Sequence, residues 1–207
     1  VIEYGWDRQN WFPWHLAEQR AARNAVALFD MTSFAKLLLQ GPDAEAELDR
    51  LAANDVKVAV GASVYTGLLN ARGGYESDVT ITRLSAQEFL VLTGTAQATR
   101  DADWIRRNMR GDARATLTDV TSAYSVLALM GPKSRELLQR VSRTPLANTA
   151  FPFAAVRQIA IGHATAWGCR RTYVGELGWE LYVPSEFTTS VYDTLMAASA
   201  DVGLKDA

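Results

Sequence analysis

The sequence predicts an α+β fold built from two antiparallel-sheet subdomains with flanking helices and an internal pseudo-twofold repeat. Three observations carry this. Four β-type runs crowd residues 56–93 with only hairpin-length links, and parallel strands would need long crossovers. A unit of strand, Gly-Pro and amphipathic helix occurs at Gly41-Pro42 and again at Gly131-Pro132, 90 positions later. Segments with helical periodicity surround these runs.

Taken in order, residues 16–25 are rich in Ala, Glu, Gln and Arg, lack Gly and Pro, and read as a helix. Residues 26–29 form a short β-type run closed by Asp30, and Leu37-Leu38-Leu39-Gln40 reads as a buried strand. Gly41-Pro42-Asp43 stops that strand and starts a helix with Pro near its first turn and Ala44, Leu48 and Leu51 on its apolar face. In the second copy, Leu138 and Val141 stand at the same offsets from Gly-Pro as Leu48 and Leu51. Between the copies come expected strands at 56–60, 63–69, 79–84 and 88–93, a helix at 97–109 and a strand at 115–119. In that helix Ala102, Ile105 and Met109 share one face, and Arg100, Asp103, Arg106 and Arg107 read as its solvated side. We therefore expect one core over 1–207, made of subdomain 1 (1–54 and 120–207) and an inserted subdomain 2 (55–119). After the second copy, 145–152 reads as a loop, and 153–161 and 163–170 as β-type runs around Gly162. In the next strand, alternation puts Trp179, Leu181 and Val183 on one side and Glu180 and Tyr182 on the other. A helix over 185–202 closes the chain, with Ser185 as N-cap and Val191, Leu195, Ala198 and Val202 on its apolar face.

Composition excludes several classes. With 21 basic and 23 acidic residues the net charge is −2, which leaves no electrostatic footprint for nucleic acid. No apolar run approaches the ~20 residues that span a bilayer, so no membrane partner is expected. The single cysteine, Cys169, rules out an internal disulfide and reads as a small buried thiol. His15 and His163 lack companions at metal-ligand spacing, so no metal is expected. There is no signal-peptide pattern, which points to bacterial cytoplasm or mitochondrial matrix rather than secretion. Val1 stands where an initiator Met would, and the chain is expected to be a piece of a longer protein. Three Trp and a Phe within residues 4–14 read as an aromatic anchor or a docking surface.

Two stretches carry candidate chemistry. In Tyr-Thr-Gly-Leu-Leu-Asn-Ala-Arg-Gly-Gly-Tyr-Glu-Ser-Asp (65–78), Asn70, Gly73 and Gly74 punctuate a hairpin, and Asp78 sits just inside the returning strand. Strands disfavour Asp, so this carboxylate is either a turn solubiliser or a placed acid/base. In Tyr-Val-Gly-Glu-Leu-Gly-Trp-Glu (173–180), Glu180 would otherwise read as an exposed strand carboxylate.

Asn-x-x-Gly-Gly-x-x-Ser-Asp with Tyr65 before it, and Tyr-x-Gly-Glu-x-Gly-Trp-Glu, resemble the folate-binding aminomethyltransferase family: the glycine-cleavage T-protein and the folate domain of sarcosine and dimethylglycine dehydrogenases and oxidases. Residues 28–36 and the aromatic N-terminal run resemble the same family. T-proteins usually carry two Asp at the end of the hairpin motif; here the first is Ser77, as in the flavoprotein branch. After the next strand T-proteins carry an Asn, where this chain has Thr93-Gly94-Thr95. The resemblance implies a T-protein-like fold whose C-terminal part is missing here, along with an Arg of the folate site. It implies Asp78 as catalytic acid/base, with Tyr65, Tyr173 and Glu180 binding tetrahydrofolate: Tyr173 packs on the folate and Glu180 accepts from the pterin. FAD is expected only in the missing N-terminal part, as a flavin domain in the same or a partner chain that oxidises a small N-methyl amine. The one-carbon unit would be captured as 5,10-methylenetetrahydrofolate. The alternatives are a glycine-cleavage-type aminomethyltransferase and a non-catalytic folate binder.

Overall fold

The computed structural model describes residues 2–207. The chain runs α1 (Phe12–Asn24), β1 (Val26–Asp30), β2 (Ala35–Gln40), α2 (Ala44–Leu51), β3 (Ser63–Leu69), β4 (Tyr75–Arg83) and β5 (Glu88–Thr93). It continues α3 (Ala98–Asn108), β6 (Thr116–Asp119), β7 (Tyr124–Met130), α4 (Ser134–Val141), β8 (Val156–Ile161), β9 (Ala164–Cys169), β10 (Gly178–Pro184), α5 (Thr188–Ala197) and β11 (Leu204–Asp206).

Two compact units result. One holds the residues up to Met31, Val126–Phe153 and Gln158–Ala207; the other holds Thr32–Ser125 and Ala154–Arg157. The division differs from the expected 55–119 insert. Hydrogen bonding is the reason: β2 pairs antiparallel with β5 over six residues and with β6 over four, which ties β2 and the α2 that follows it to the hairpin strands. The second unit's sheet has the order β3-β4-β5-β2-β6 and is antiparallel throughout. Its core face carries Leu37, Leu39, Leu68, Val79, Ile81, Phe89 and Val91, packed with Leu48 and Leu51 of α2 and Ala102 and Ile105 of α3. Full burial of such aliphatic side chains stabilises by roughly 1.5–3 kcal/mol each.

The first unit's sheet has the order β11-β1-β7-β10-β9-β8. β1 and β7, and β9 and β10, pair antiparallel, whereas β11 joins the edge parallel to β1. The sequence gives no sign of β11, because its three residues include Lys205 and Asp206 and follow what reads as one long helix. The helix ends at Ala197 instead; the chain turns at Gly203, and the Ala207 amide bonds the Leu28 carbonyl at 2.9 Å. Ser185 lies in a 3-10 turn before α5, where its carbonyl accepts from the Thr188 hydroxyl, so it is not the N-cap.

The strand expected at 56–60 does not form. The Val56 and Lys57 amides bond the carboxylates of Asp49 and Asp55 instead of a neighbouring strand, and only the Val56 side chain enters the core. At the N-terminus Tyr4, Trp6 and Trp14 are exposed rather than packed as an anchor.

The repeated units share one backbone device. Gly41 and Gly131 have φ of 138° and 132°, a region that side-chain-bearing residues avoid. A Cβ on Gly41 would lie 2.1 Å from the Arg114 carbonyl oxygen, and one on Gly131 2.4 Å from that of Ala25. Each glycine carbonyl then accepts the amide of the first helical residue, Ala44 or Ser134.

Candidate functional site

The β3–β4 hairpin is fixed at its tip by Asn70. Its side-chain oxygen accepts from the amides of Arg72 and Gly74, and its side-chain nitrogen donates to Glu76 at 2.8 Å. This is the physical content of the Asn-x-x-Gly-Gly pattern. Along the hairpin Gly67 stands opposite Asp78 and Tyr65 opposite Thr80. Tyr65 and Asp78 are therefore diagonal neighbours on one face, and the Tyr65 hydroxyl donates to Asp78 Oδ2 at 2.8 Å. Both side chains are exposed, while Val79 and Ile81, on the opposite face of β4, enter the core.

Tyr75 completes this group and is a residue the sequence reading overlooks. A Cβ on Gly67 would lie 2.4 Å from a Tyr75 ring carbon, so the glycine makes room for that ring on the Asp78 face. The signal was present in the hairpin: a glycine inside a strand marks a close approach. Asp78 thus carries one phenol as hydrogen-bond partner and has a second over its cross-strand neighbour. A carboxylate so oriented can take up or give a proton, and its hydrogen bond from the Tyr65 hydroxyl fixes the direction in which it points.

The other two candidates belong to the first unit. β10 is buried along nearly its whole length. Trp179 meets Phe151 edge-to-face at 6.1 Å, and the Arg135 and Arg170 guanidiniums each lie 5.7 Å from its ring centre. That explains an aromatic residue at this position of the motif. Glu180, expected on exposure rules to face water, is fully buried. Its Oε2 accepts from the Tyr182 hydroxyl at 2.6 Å, and among the described residues its Oε1 has no hydrogen-bond partner. Burial pushes the Glu180 carboxyl above its ordinary value, against the opposing pull of the Tyr182 hydroxyl and the Arg171 charge. Burial and the Glu180 charge together push the Tyr182 phenol well up, so Tyr182 remains a donor. The i, i+2 alternation that pairs Glu180 with Tyr182 was visible in the sequence; the hydrogen bond was not.

Tyr173 is more than half exposed, and its amide donates to Met130 Sδ at 3.5 Å. With His15, Gln19, Arg23 and Phe29 it lines a hollow of about 400 Å³. Arg23 on α1 pairs with Glu176 of the same motif at 3.0 Å. His15 is engaged with Gln19 at 2.7 Å, and among the described residues no group of three or more His, Cys, Asp or Glu could hold a metal ion. Cys169 is buried. No helix among the described residues is long and apolar enough to cross a membrane.

Two sheet-based units, one antiparallel throughout and the other antiparallel apart from the edge strand β11, define an α+β domain, and known proteins share this fold. The GCVT N-terminal domain family matches residues 1–207, and the chain belongs to that family. It is 40% identical over 205 residues to a formaldehyde-forming 4-methylaminobutanoate oxidase of Paenarthrobacter nicotinovorans, covering 99% of this chain and 25% of that protein. It is 37% identical over 202 residues to mitochondrial sarcosine dehydrogenase of Mus musculus, covering 90% of this chain and 22% of that protein. The chain thus spans about a quarter of the length of these relatives. Its fold matches the glycine cleavage system aminomethyltransferase T of Bartonella henselae with a TM-score of 0.79, over 93% of this chain and 50% of that one, at 23% identity. The chain is an aminomethyltransferase-family domain related to sarcosine dehydrogenases.

Proposed function

We propose that this domain binds tetrahydrofolate within a sarcosine- or dimethylglycine-dehydrogenase-like enzyme and captures the one-carbon unit of an oxidised N-methyl amine as 5,10-methylenetetrahydrofolate. The observation that carries the reading is the buried Oε1 of Glu180, which has no hydrogen-bond partner among the described residues. A buried carboxylate oxygen without a donor is unfavourable unless a ligand supplies one. A pterin edge offers paired N–H donors of that kind, and charge-assisted pairs with a carboxylate are strong. When bound, tetrahydrofolate supplies the nucleophilic nitrogens that take up the carbon.

The residues divide the remaining work. Glu180 accepts from the pterin, with Tyr182 holding its other oxygen in place. Tyr173, exposed and with few bonds to freeze, offers a ring for stacking. Asp78 serves as acid/base at the folate nitrogen, and Tyr65 orients it through their 2.8 Å hydrogen bond. Catalysis of this kind is proximity combined with proton management. The flavin that generates the oxidised amine belongs to a region outside these residues, in the same chain or a partner, and the compartment is bacterial cytoplasm or mitochondrial matrix.

The test is carried out on the complete protein with two assays, dye reduction for amine oxidation and product yield for folate coupling. Asp78→Asn is expected to leave dye reduction nearly intact, to lower methylenetetrahydrofolate formation and to release free formaldehyde. Equal losses in both assays would assign Asp78 to the fold instead, and an unchanged folate yield would remove it from the mechanism.

A further inference from the structure

The hairpin is not a regular ladder at its catalytic end. Leu68 pairs with Ser77 and Leu69 with Tyr75, so Glu76 is an extra residue in β4. A bulge of this kind re-aims the side chains beyond it. Both residues of the irregularity are held by the first turn of α3. The Arg100 guanidinium pairs with the Glu76 carboxylate at 2.5 Å and also bonds the Glu76 carbonyl. Asp101 accepts the Ser77 hydroxyl at 2.5 Å and, on the same oxygen, the hydroxyl of Thr93. Asp101 is only 1% exposed and Ser77 3%.

An acid in the first turn of a helix is often explained by the helix dipole, but that effect is ordinarily a surface one. Here the carboxylate is buried and turned to a strand. Arg100 also lies 3.7 Å from the other Asp101 oxygen, but burying a charge, even a paired one, is a poor means of gaining stability, so this geometry asks for another explanation. Both hydroxyls donate to the same Asp101 oxygen, which fixes two rotors and the pleat of β4 at Ser77. It also selects the register. A slip of β4 by one residue exchanges the faces of neighbouring side chains and would turn Asp78 toward Asp101, placing two carboxylates together in a buried site.

We propose that Asp101 is a positioning residue for Asp78: through Ser77, and beside the Arg100–Glu76 pair, it locks the β4 bulge in the register that presents Asp78 to Tyr65. This rests on Asp78 being the catalytic acid/base.

The experiment uses the complete protein and four variants: Asp78→Asn, Asp101→Asn, Ser77→Ala and the Asp101→Asn/Ser77→Ala pair. Methylenetetrahydrofolate formation is followed at saturating and limiting tetrahydrofolate, well below each variant's unfolding midpoint. Asp101→Asn and Ser77→Ala are each expected to lower kcat by about 10- to 100-fold, the scale for misplacing a catalytic group by about an ångström. KM for tetrahydrofolate should stay within about twofold. The double variant should lose little more than Asp101→Asn alone, because the Ser77 hydrogen bond is one of the two hydroxyl bonds that Asp101 accepts. A folded Ser77→Ala or Asp101→Asn protein with wild-type kcat would overturn the proposal, and so would losses that simply multiply in the double variant. Should Asp101→Asn fail to fold, Ser77→Ala alone decides, since it removes a single hydroxyl. Asp78→Asn keeps the two ideas apart. If it leaves the folate product unchanged, the catalytic assignment falls and takes this one with it; if it abolishes product while the other variants do not, only the positioning role falls.

Discussion

Glu180→Gln is the most informative single substitution, because it changes charge at nearly constant shape. In the ligand-free protein the glutamine oxygen can still accept from Tyr182, so that 2.6 Å bond has a replacement. The buried ion is gone, and its loss should leave unfolding stability at neutral pH within about 1 kcal/mol of wild type or above it. Ligand binding should move the other way. The oxygen that lacks a partner among the described residues becomes an amide donor, which would face the N–H donors of a pterin, and the charge that strengthens those bonds disappears. The expected loss is about 2–4 kcal/mol of tetrahydrofolate affinity, or roughly 30- to 1,000-fold in Kd. The pH dependence follows from the raised carboxyl. Because the folded protein binds this proton more tightly than the unfolded chain, its contribution to stability is fully present below the ordinary value of 4.5 and is lost as pH rises through the elevated folded value. Denaturant titrations across that range should therefore show a downward slope with pH in wild type that the variant lacks, and calorimetric titration with tetrahydrofolate gives the affinity. A Glu180→Gln protein that binds tetrahydrofolate as tightly as wild type would refute the assignment. Identical pH slopes in the two proteins would refute the buried, elevated carboxyl.

Three further outcomes are expected. Asp78→Ala should lower coupled methylenetetrahydrofolate formation by about 10²–10⁴-fold, the usual contribution of a general acid or base, measured beside an unchanged dye-reduction rate. Gly131→Ala, which forces a Cβ to 2.4 Å from the Ala25 oxygen at a φ of 132°, should destabilise by about 2–4 kcal/mol in chemical denaturation. Glu47→Gln should flatten the acid limb of the stability curve: burial raises the Glu47 carboxyl, but its bonds to Arg50 and Arg110 outweigh that and hold it below 4.5, so its contribution is present above 4.5 and fades as pH falls through the folded value.

The sequence was legible where a local pattern has one physical solution. Gly41-Pro42 and Gly131-Pro132 each follow a β-type run and precede an amphipathic face, and both become strand, positive-φ glycine and helix. The strands around the hairpin emerge within a few residues of their expected bounds for the same reason. What failed depended on distant partners. Val-Lys-Val-Ala-Val at 56–60 has strand composition, yet the Val56 and Lys57 amides are taken up by nearby carboxylates, which composition alone does not reveal. β11 forms because β1 offers a free edge to three residues that carry no strand signal. The subdomain boundary moved because β2's partners, β5 and β6, lie 48 to 82 positions away along the register, so its membership of a sheet could not be read from its own residues.

The candidate site divides along the same line. Tyr65 and Asp78 belong to one hairpin, whose turn fixes their register, so a motif of fourteen residues carries both the residues and their contact. Their support comes from α3, and nothing local connects Ser77 to an aspartate 24 positions later. Glu180 makes the converse case. Alternation places it beside Tyr182, but composition would put such a carboxylate in water, and only the packing of β10 between β7 and β9 makes it a buried acceptor. Local rules therefore recover which residues face one another across a turn. They do not recover which charges the fold has removed from water, and the chemistry proposed for Asp78 and Glu180 depends on both.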